Sequence, residues 1–575
     1  MAYLIHTSFT SGEISPRLDM RVQLQKYNNA CSEAENVVLL PQGGAAKRPG
    51  LRFINEVKDS SKKVRLIPFQ FSTETAYVLE FGDSYIRFYM DGGIIMDGDS
   101  PYEISSPYAE ADLYDIQFTQ SADVMYLVHP KYQPRKLSRT GHTSWTLETI
   151  SFTSQPDEWG TDNWPGSVTF YKQRLCYGGV PSKPQKFWMS VINSFEDFTT
   201  GTADDDACEF QLVANEVNAI RWMVPGRSLY IGTSGSEWEV YGSAGQITPT
   251  DVTADRYTGE GSIGHIPIEI SGVTLFLHRT GRKLLEFAYT FEEDTYKAPS
   301  LTILAEHLTR QHTIRQIVFQ NLPHGIVWAT RTDGTLLGFT YLRDQEVMGW
   351  HRHTTQGEIE WVTTIKGVME DELWAVVKRT VSGATKRYVE RLDPEFNGED
   401  IKEAFFVDSG LSYDGEATTT LSGLDHLEGE EVQILADGSV HPPKVVKSGS
   451  IELDREASRV HAGLGYATRL KTTDFTGGAA GGTSQGRIHK ISRVGIQLHD
   501  TVGGYIGPDD EQMEELLFRT SADEMGEPIS PFTGMKYSDF WADYEISTQI
   551  LYKHDSPLPA TVLGFVAEVE TYGMG

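Results

Sequence analysis

Between Val64 and about Leu392 one pattern of apolar and polar positions recurs seven times. Apolar, β-type anchors stand at Leu66, Ile116, Val168, Ile220, Ile268, Ile317 and Val362, in steps of 45 to 52 residues. Each anchor opens a short apolar strand, followed by a polar turn, a second strand, a turn and a third. The first unit reads V-R-L-I-P-F-Q-F, S-T-E-T, A-Y-V-L-E-F, G-D-S, Y-I-R-F-Y; the fourth reads A-I-R-W-M-V, P-G-R, S-L-Y-I-G-T, S-G-S, E-W-E-V-Y. A period near 50 residues with only strand patterning predicts the blades of a β-propeller. A lone three- or four-stranded sheet leaves both faces wet; stacking sheets in a ring covers the faces and leaves only short edges. The alternative is an array of β-sandwiches without closure.

The flanks differ. Ser15-Pro16-Arg17-Leu18-Asp19 has the form of a helix start, and Leu18, Val22, Tyr27, Ala30, Ala34 and Val38 recur near helical spacing, so a short helix is expected there. Val37 to Leu40 then reads as a β run. Two Gly/Pro turns follow, Pro41-Gln42-Gly43-Gly44 and Lys47-Arg48-Pro49-Gly50, and predict a tight hairpin before Leu51-Arg52-Phe53-Ile54 resumes as a strand. Past Phe405 the period is lost. Glu428 to Val440 reads as a hairpin turning at Asp437-Gly438, part of a small β-barrel or sandwich ending near Gly463. Phe475 to Gly486 reads as a flexible loop, and Ile488–His499 and Leu551–Thr571 as long strands. The expected fold class is therefore mainly β: a propeller of about seven blades (63–400) inserted in a mixed, β-rich platform made by both chain ends (1–62 and 466–575), plus the small barrel or sandwich (401–465).

The N-terminal words carry a resemblance. Ser8-Phe9-Thr10-Ser11-Gly12-Glu13-Ile14-Ser15-Pro16-Arg17-Leu18, Arg21, Lys26-Tyr27, Asn36, Pro41-Gln42-Gly43-Gly44, Arg48-Pro49-Gly50 and Phe53 resemble the start of the tail nozzle proteins of short-tailed bacteriophages, the tail tubular protein B family. The likeness is strong over about the first 90 residues and reaches the first repeat. It implies a structural component of the virion: a hexameric tube below the portal and its adaptor ring, with a propeller on the flank and double-stranded DNA leaving through the lumen. Its implied partners are further copies of the chain, the adaptor (head-to-tail connector) and tail fibres or tailspikes. This chain is shorter than the best-studied nozzles, which puts any tip or fibre-docking insertion in doubt.

Charge sharpens that expectation. The net charge of the 575 residues is -30, with a pI near 4.9, although Met1 to Arg65 holds ten Lys or Arg against six Asp or Glu. An acidic body is unlike a DNA-gripping protein, which offers Lys and Arg to phosphates. Six copies would carry -180, and a wall of like charge lets a duplex slide without dwelling. The basic segment is then expected against protein. Pro41, Gln42, Gly43, Gly44, Lys47, Arg48, Pro49 and Gly50 are the candidate adaptor or inter-subunit interface, because a glycine-rich turn admits another backbone closely; Lys58, Lys62, Lys63 and Arg65 belong to the same basic stretch. Cys31, Cys176 and Cys208 are odd in number and widely spaced, which gives no disulfide framework or metal knuckle and points to folding in a reducing cytosol. The start has no signal-peptide pattern, and no uncharged apolar run reaches membrane-spanning length.

Candidates for chemistry are weak, and neither enzyme activity nor a cofactor or metal is expected. Gly477 to Gly486 lacks the Lys and Ser/Thr of a phosphate loop. His351 and His353 share a strand face without a companion ligand and read as exposed or partly packed. Glu237 and Glu239 around Trp238, and Glu358 and Glu360 before Trp361, imitate paired glycosidase acids, but alternation makes them solvent-side residues opposite a buried Trp. Ser138 to Trp145 resembles a sialidase box without its Asp and reads as a turn into a strand. Asp204, Asp205, Asp206 and Glu209 lack the spacing of a calcium loop and read as a solvated loop. The competing readings are a propeller that docks fibres or host glycan, and a polysaccharide depolymerase.

Overall fold

The computed structural model describes residues 2–475, 478–479, 482–483, 486–521, 524 and 527–571. Its architecture is mainly β, with a seven-bladed β-propeller at its centre. Every repeat anchor lies in the first strand of a blade, except Ile116, which immediately precedes one. Those first strands are Arg65–Gln70, Gln117–Ser121, Ser167–Tyr171, Ile220–Pro225, Ile268–Ile270, Ile314–Gln320 and Glu358–Lys366. They face one another around the axis, and the later strands of each blade step outward by antiparallel pairing.

A buried apolar core lies between each pair of neighbouring blades. Phe69, Phe88 and Trp145 join blades 1 and 2. Trp159 and Trp188 sit between blades 2 and 3, and Met223 and Ile231 between 3 and 4. Trp222 and Phe276 pack blade 4 on 5, and Leu275 and Phe339 pack 5 on 6. Trp328 and Val377 join 6 to 7. The seventh core closes the circle: Trp361, Trp374, Leu66 and Tyr89 pack blade 7 on blade 1, and Trp361 Nε1 donates to the Leu66 carbonyl at 2.9 Å. The ring is therefore closed, and the unclosed array is set aside.

Most blades have four strands where the pattern suggested three. The fourth strand of blade 7 is Leu51–Glu56, expected in the N-terminal platform. It pairs antiparallel with Ala384–Leu392 and ties a segment from before blade 1 onto the last blade. This is why Leu51-Arg52-Phe53-Ile54 does not fold back as a hairpin arm after Lys47-Arg48-Pro49-Gly50.

The expected N-terminal helix is reduced to two single turns, Pro16–Leu18 and Gln25–Asn28. Ala30 and Ala34 instead belong to a strand, Ala30–Glu35, that pairs with Thr468–Thr472. Pro41 to Gly44 does turn a hairpin, between Val37–Leu39 and Ala45–Lys47. The two chain ends share one core: Phe9, Cys31, Leu39 and Ala45 pack with Leu470, Ile496, Phe565 and Val569. Leu551 to Thr571, expected as one strand, is two, Leu551–His554 and Thr561–Thr571.

Platform and propeller are continuous sheets. The outer strand of blade 6, Val347–His353, is followed by Gly12–Glu13 and Ala30–Glu35. Gly12 makes that junction possible: its φ is +66°, and a Cβ would stand 2.4 Å from the Trp350 nitrogen. Blade 7 continues through Leu51–Glu56 into the small domain, whose strands Asp408–Ser422, Ser450–Leu464, Glu431–Ala436 and Ser439–Val445 enclose Leu427, Val432, Ile434 and Val460. Its hairpin turns at Asp437 (φ 48°) and Gly438 (φ 78°), both left-handed as a two-residue type I′ loop requires. Half of the expected loop, Phe475 to Gly486, lies outside the described residues; within the other half Gly478–Ala479 pairs antiparallel with Gly482–Thr483.

Candidate interaction surfaces

The eight residues singled out as an interface do not form an exposed patch. Only Gln42 is exposed; Pro41 and Pro49 are half-buried, and Gly43, Gly44, Lys47, Arg48 and Gly50 are buried. The two cations turn inward because their partners are within the chain. Arg48 makes a bidentate pair with Asp408, Nη1 to Oδ1 at 2.9 Å and Nη2 to Oδ2 at 3.0 Å. It also donates to Asn36 Oδ1 and to the Thr354 carbonyl, and its guanidinium lies 4.1 Å from the centre of the Tyr466 ring. Asp408 accepts a further bond from the Leu51 N–H at 3.1 Å. One side chain thus gathers the N-terminal strands, blade 6, the strand entering the small domain and the tether of blade 7. Lys47 Nζ donates to the Ser556 carbonyl at 2.5 Å and lies 3.2 Å from His554 Nδ1. Burial beside Arg48 lowers the Lys47 ammonium to about 7. Deleting Pro41 to Gly50 would take out this junction rather than spare the propeller.

Three of the other four cations of the basic stretch are also internally matched. Lys58 pairs with Glu103 and Lys62 with Asp83. Arg65 is buried at the propeller axis, donating to the Leu113 and Ile116 carbonyls at 2.8 and 2.6 Å, with its guanidinium 4.9 Å from the Trp361 ring. Gln117, on the first strand of blade 2, reaches the Arg221 carbonyl of blade 4 at 2.5 Å and the Gly264 carbonyl at 3.2 Å. Tyr114, before blade 2, stacks on Trp361 of blade 7 at 4.8 Å. Side chains that join non-neighbouring blades cross the axis and leave a hollow of only about 360 Å³ beside Gln117, Arg221 and Gly264, too small for a duplex to run through the propeller itself.

An open surface exists elsewhere, on the platform sheet ordered Val37–Leu39, Ala45–Lys47, Thr561–Thr571, His489–Thr501, Phe532–Asp539, with Ala2–His6 also on Thr561–Thr571. Alternation sends Val562, Phe565, Ala567 and Val569 to the core, together with Val494 and Ile496. The register puts Ile5, Val566, Gly495 and Tyr537 in one row across the opposite face. Ile5 is 67% and Tyr537 60% exposed; Tyr3 and Met535 flank them, and Trp541, Tyr544 and Ile546 are exposed in the segment that follows. Sequence reasoning missed this face. Its one signal is A-Y-L-I-H, apolar on both sides of a strand.

The chemical candidates are structural. His351 and His353 are fully buried, against the expectation of exposed or partly packed rings, because blade 6's outer strand is covered by the platform. Their rings meet, Nδ1 to Nε2, at 2.7 Å, and burial lowers His351 to about 3. Glu237, Glu239 and Glu360 are buried too, where solvent-side positions were expected, since both faces of a blade are covered by neighbours. Glu237 accepts from Thr258 and Ser262, and Glu360 holds Arg387 in a bidentate pair; Glu358 is exposed. Ser138 to Trp145 spans a strand–turn–strand with Trp145 buried. Asp204 and Asp205 are exposed, as a solvated loop requires, but Asp206 is half-buried and Glu209 stands in blade 3's fourth strand, Cys208–Gln211, where it pairs with Lys186 at 3.0 Å. Among the described residues no group of three or more His, Cys, Asp or Glu could hold a metal, and no helix is long and apolar enough to cross a membrane.

No protein-family model and no curated protein matches the chain. Solved structures similar to part of it include the Neurospora crassa Pan2 WD40 domain (9% identity, TM-score 0.37, 61% of this chain and 96% of that one). U3-55K is similar at 9% identity and TM-score 0.38, over 60% of this chain and all of that one. The Myceliophteria thermophila Cps50 (Swd1) β-propeller domain is similar at 8% identity and TM-score 0.37, over the same shares. The propeller assignment rests on the chain's own strands and inter-blade cores.

Proposed function

We propose that this chain is a structural subunit of a bacteriophage tail nozzle, a homo-oligomeric and hexameric tube below the adaptor through which double-stranded DNA leaves the virion. The N-terminal words supply the class. The observation that carries it is the bare outer face of the platform sheet, with Ile5, Val566, Gly495 and Tyr537 in one row. A sheet with one face in a core and, on the other, an apolar and aromatic row in water beside a charged row of Glu568, Arg493 and Asp539 is the kind of surface that another protein covers. In a closed ring each copy presents one patch to a different patch of the next, and the platform would then be the wall. The plugged propeller axis is consistent with a propeller outside the tube and a duplex in the lumen between platforms. The acidic surplus serves the same end, since a net charge of -30 per copy repels phosphates. The chain acts without chemistry of its own in this reading.

Negative-stain electron microscopy of the purified chain, alone and with its adaptor, tests the proposal: six-fold rings or tubes are expected. Ile5→Asp combined with Tyr537→Asp should leave the melting temperature within a few degrees, because both side chains are largely in water, and should abolish rings. A chain that stays monomeric with its adaptor, or a double variant that still closes rings, overturns this assignment.

A further inference from the structure

A second concave surface lies at the junction of blade 6, blade 7 and the platform, away from the bare sheet face. It is a cleft of about 320 Å³, at the small end of ligand pockets and suited to one or two side chains. Its apolar lining includes Val38, Pro49, Pro323, Ile326, Trp328 and Leu392. At the lip the turn after Glu358–Lys366 carries Val368 and Met369, each 88% exposed. Two adjacent apolar side chains held in water beside an apolar hollow extend its surface outward.

The charge around the cleft is unbalanced. Glu370, Asp371, Glu372, Asp393 and Glu395 line it, against Lys47 and Arg391. Four of the five carboxylates are satisfied within the chain. Asp371 accepts the Asn321 and Leu322 N–H groups, Glu372 holds Arg391 at 2.8 Å, Asp393 holds Arg52 at 2.8 Å, and Glu395 lies 2.8 Å from His324. Lys47 is spent on Ser556 and His554. Glu370 accepts the Glu395 N–H, at 3.3 Å, and no lysine or arginine among the described residues pairs with it; the nearest opposite charge is the His324 imidazole, which Glu395 holds. Partial burial, with the Glu395 and Asp393 charges nearby, pushes its carboxyl above the usual range. A half-buried carboxylate without a counter-charge of its own, beside an apolar hollow, is complementary to a group that is apolar and cationic at once.

We propose that this cleft docks a segment of a partner protein in which a large apolar side chain, seated on Pro49, Pro323 and Leu392, is followed by a lysine or arginine that pairs with Glu370. Val368 and Met369 close over the apolar side chain from the lip, and the cation replaces water at the one unmatched carboxylate.

Two blocked tetrapeptides differing in one charge, acetyl-Gly-Trp-Lys-Gly-amide and acetyl-Gly-Trp-Glu-Gly-amide, are the probes, titrated into the full-length chain by calorimetry or ligand-observed NMR. The lysine peptide should bind about tenfold more tightly, the size of one partly desolvated charge pair of about 1.4 kcal/mol. Glu370→Gln should bring the two peptides within about threefold of each other. Val368→Ser with Met369→Ser should weaken both about tenfold, as expected for two lost apolar contacts, while leaving the melting temperature unchanged. The proposal fails if the peptides bind equally, or if the preference survives Glu370→Gln, which would mark general attraction to an acidic chain. It fails equally if the lip variant has no effect. If the lysine peptide binds the dilute chain but is expelled as copies associate, a second copy of this chain fills the cleft and the partner assigned here is wrong.

Discussion

Replacing Arg48 by alanine is expected to destabilise the protein by about 3–5 kcal/mol, the cost of stripping one member from a fully buried ion pair. The side chains of Arg48 and Asp408 are 3% and 0% exposed. Removing the cation leaves Asp408 charged and dry, with the Leu51 N–H, the Thr355 side chain and the more distant Arg379 charge in place of its bidentate partner; Asp408→Ala should cost as much, by stranding Arg48. Burial works against the Asp408 carboxylate, but the Arg48 guanidinium outweighs it and holds the group below the ordinary range. A depressed carboxylate contributes stability above its unfolded value and loses it as pH falls through the folded one. The penalty of Arg48→Ala should therefore be full at neutral pH and shrink in strong acid. Replacing the pair together, Arg48→Met with Asp408→Leu, should recover most of the loss, because two apolar groups need no counter-charge. Denaturant midpoints of the four proteins measure this. A single-variant loss below about 1 kcal/mol, the range of an exposed pair, would show that the junction is not held through this contact. Because Asp408 also fixes Leu51, the first residue of blade 7's fourth strand, protease cleavage near Leu51–Glu56 should rise in both single variants.

The same contact explains what could and could not be read from the sequence. The propeller was legible because its determinants are local and repeated. Leu66, Val168, Ile220 and Val362 must be apolar to pack one inner strand on the next, and that demand returns every 45 to 52 residues. The direction of Lys47 and Arg48 was not legible. A basic turn between glycines reads as surface, and the residue that buries Arg48 lies 360 positions away. The same distance hid the strand nature of Ala30 and Ala34: with i, i+4 spacing they suit a helix, until Thr468–Thr472 supplies a ladder. Glu237 and Glu360 failed for a different reason. Alternation implies one wet face, but a blade has two dry ones, so its polar positions must carry internal partners such as Ser262 and Arg387. The bare platform face was invisible because Tyr3, Leu4 and Ile5 are apolar whichever way they point; only the pairing of Ala2–His6 with Thr561–Thr571 decides which faces water.

Lys47 should behave oppositely to its neighbour: replacing it by methionine is expected to stabilise the protein at neutral pH. An unfolded lysine binds its proton up to about pH 10.5, whereas burial lowers folded Lys47 to about 7. Between those values the unfolded chain holds the proton that the folded one has released, so stability rises with pH across the window, by roughly 1.4 kcal/mol per unit. Below pH 7 both states are protonated and the burial penalty is present in full. Methionine carries no such penalty and sets a polarizable thioether against the Tyr466 and Phe406 rings that the ammonium faces at 4.9 and 5.4 Å. Against this stands the loss of the bond to the Ser556 carbonyl and of the contact with His554 Nδ1, about 1–3 kcal/mol for polar groups left unmatched. The absolute gain at pH 7 is thus the smaller quantity, and the pH dependence the larger. Between pH 7 and pH 9 the wild-type stability should climb by about 2–3 kcal/mol relative to Lys47→Met, since two units of that window are crossed. Urea midpoints of both proteins at the two pH values decide it. Parallel pH profiles would mean that Lys47 keeps its proton in the folded chain, with the Ser556 carbonyl and the Asp408 and Asp555 charges outweighing its burial.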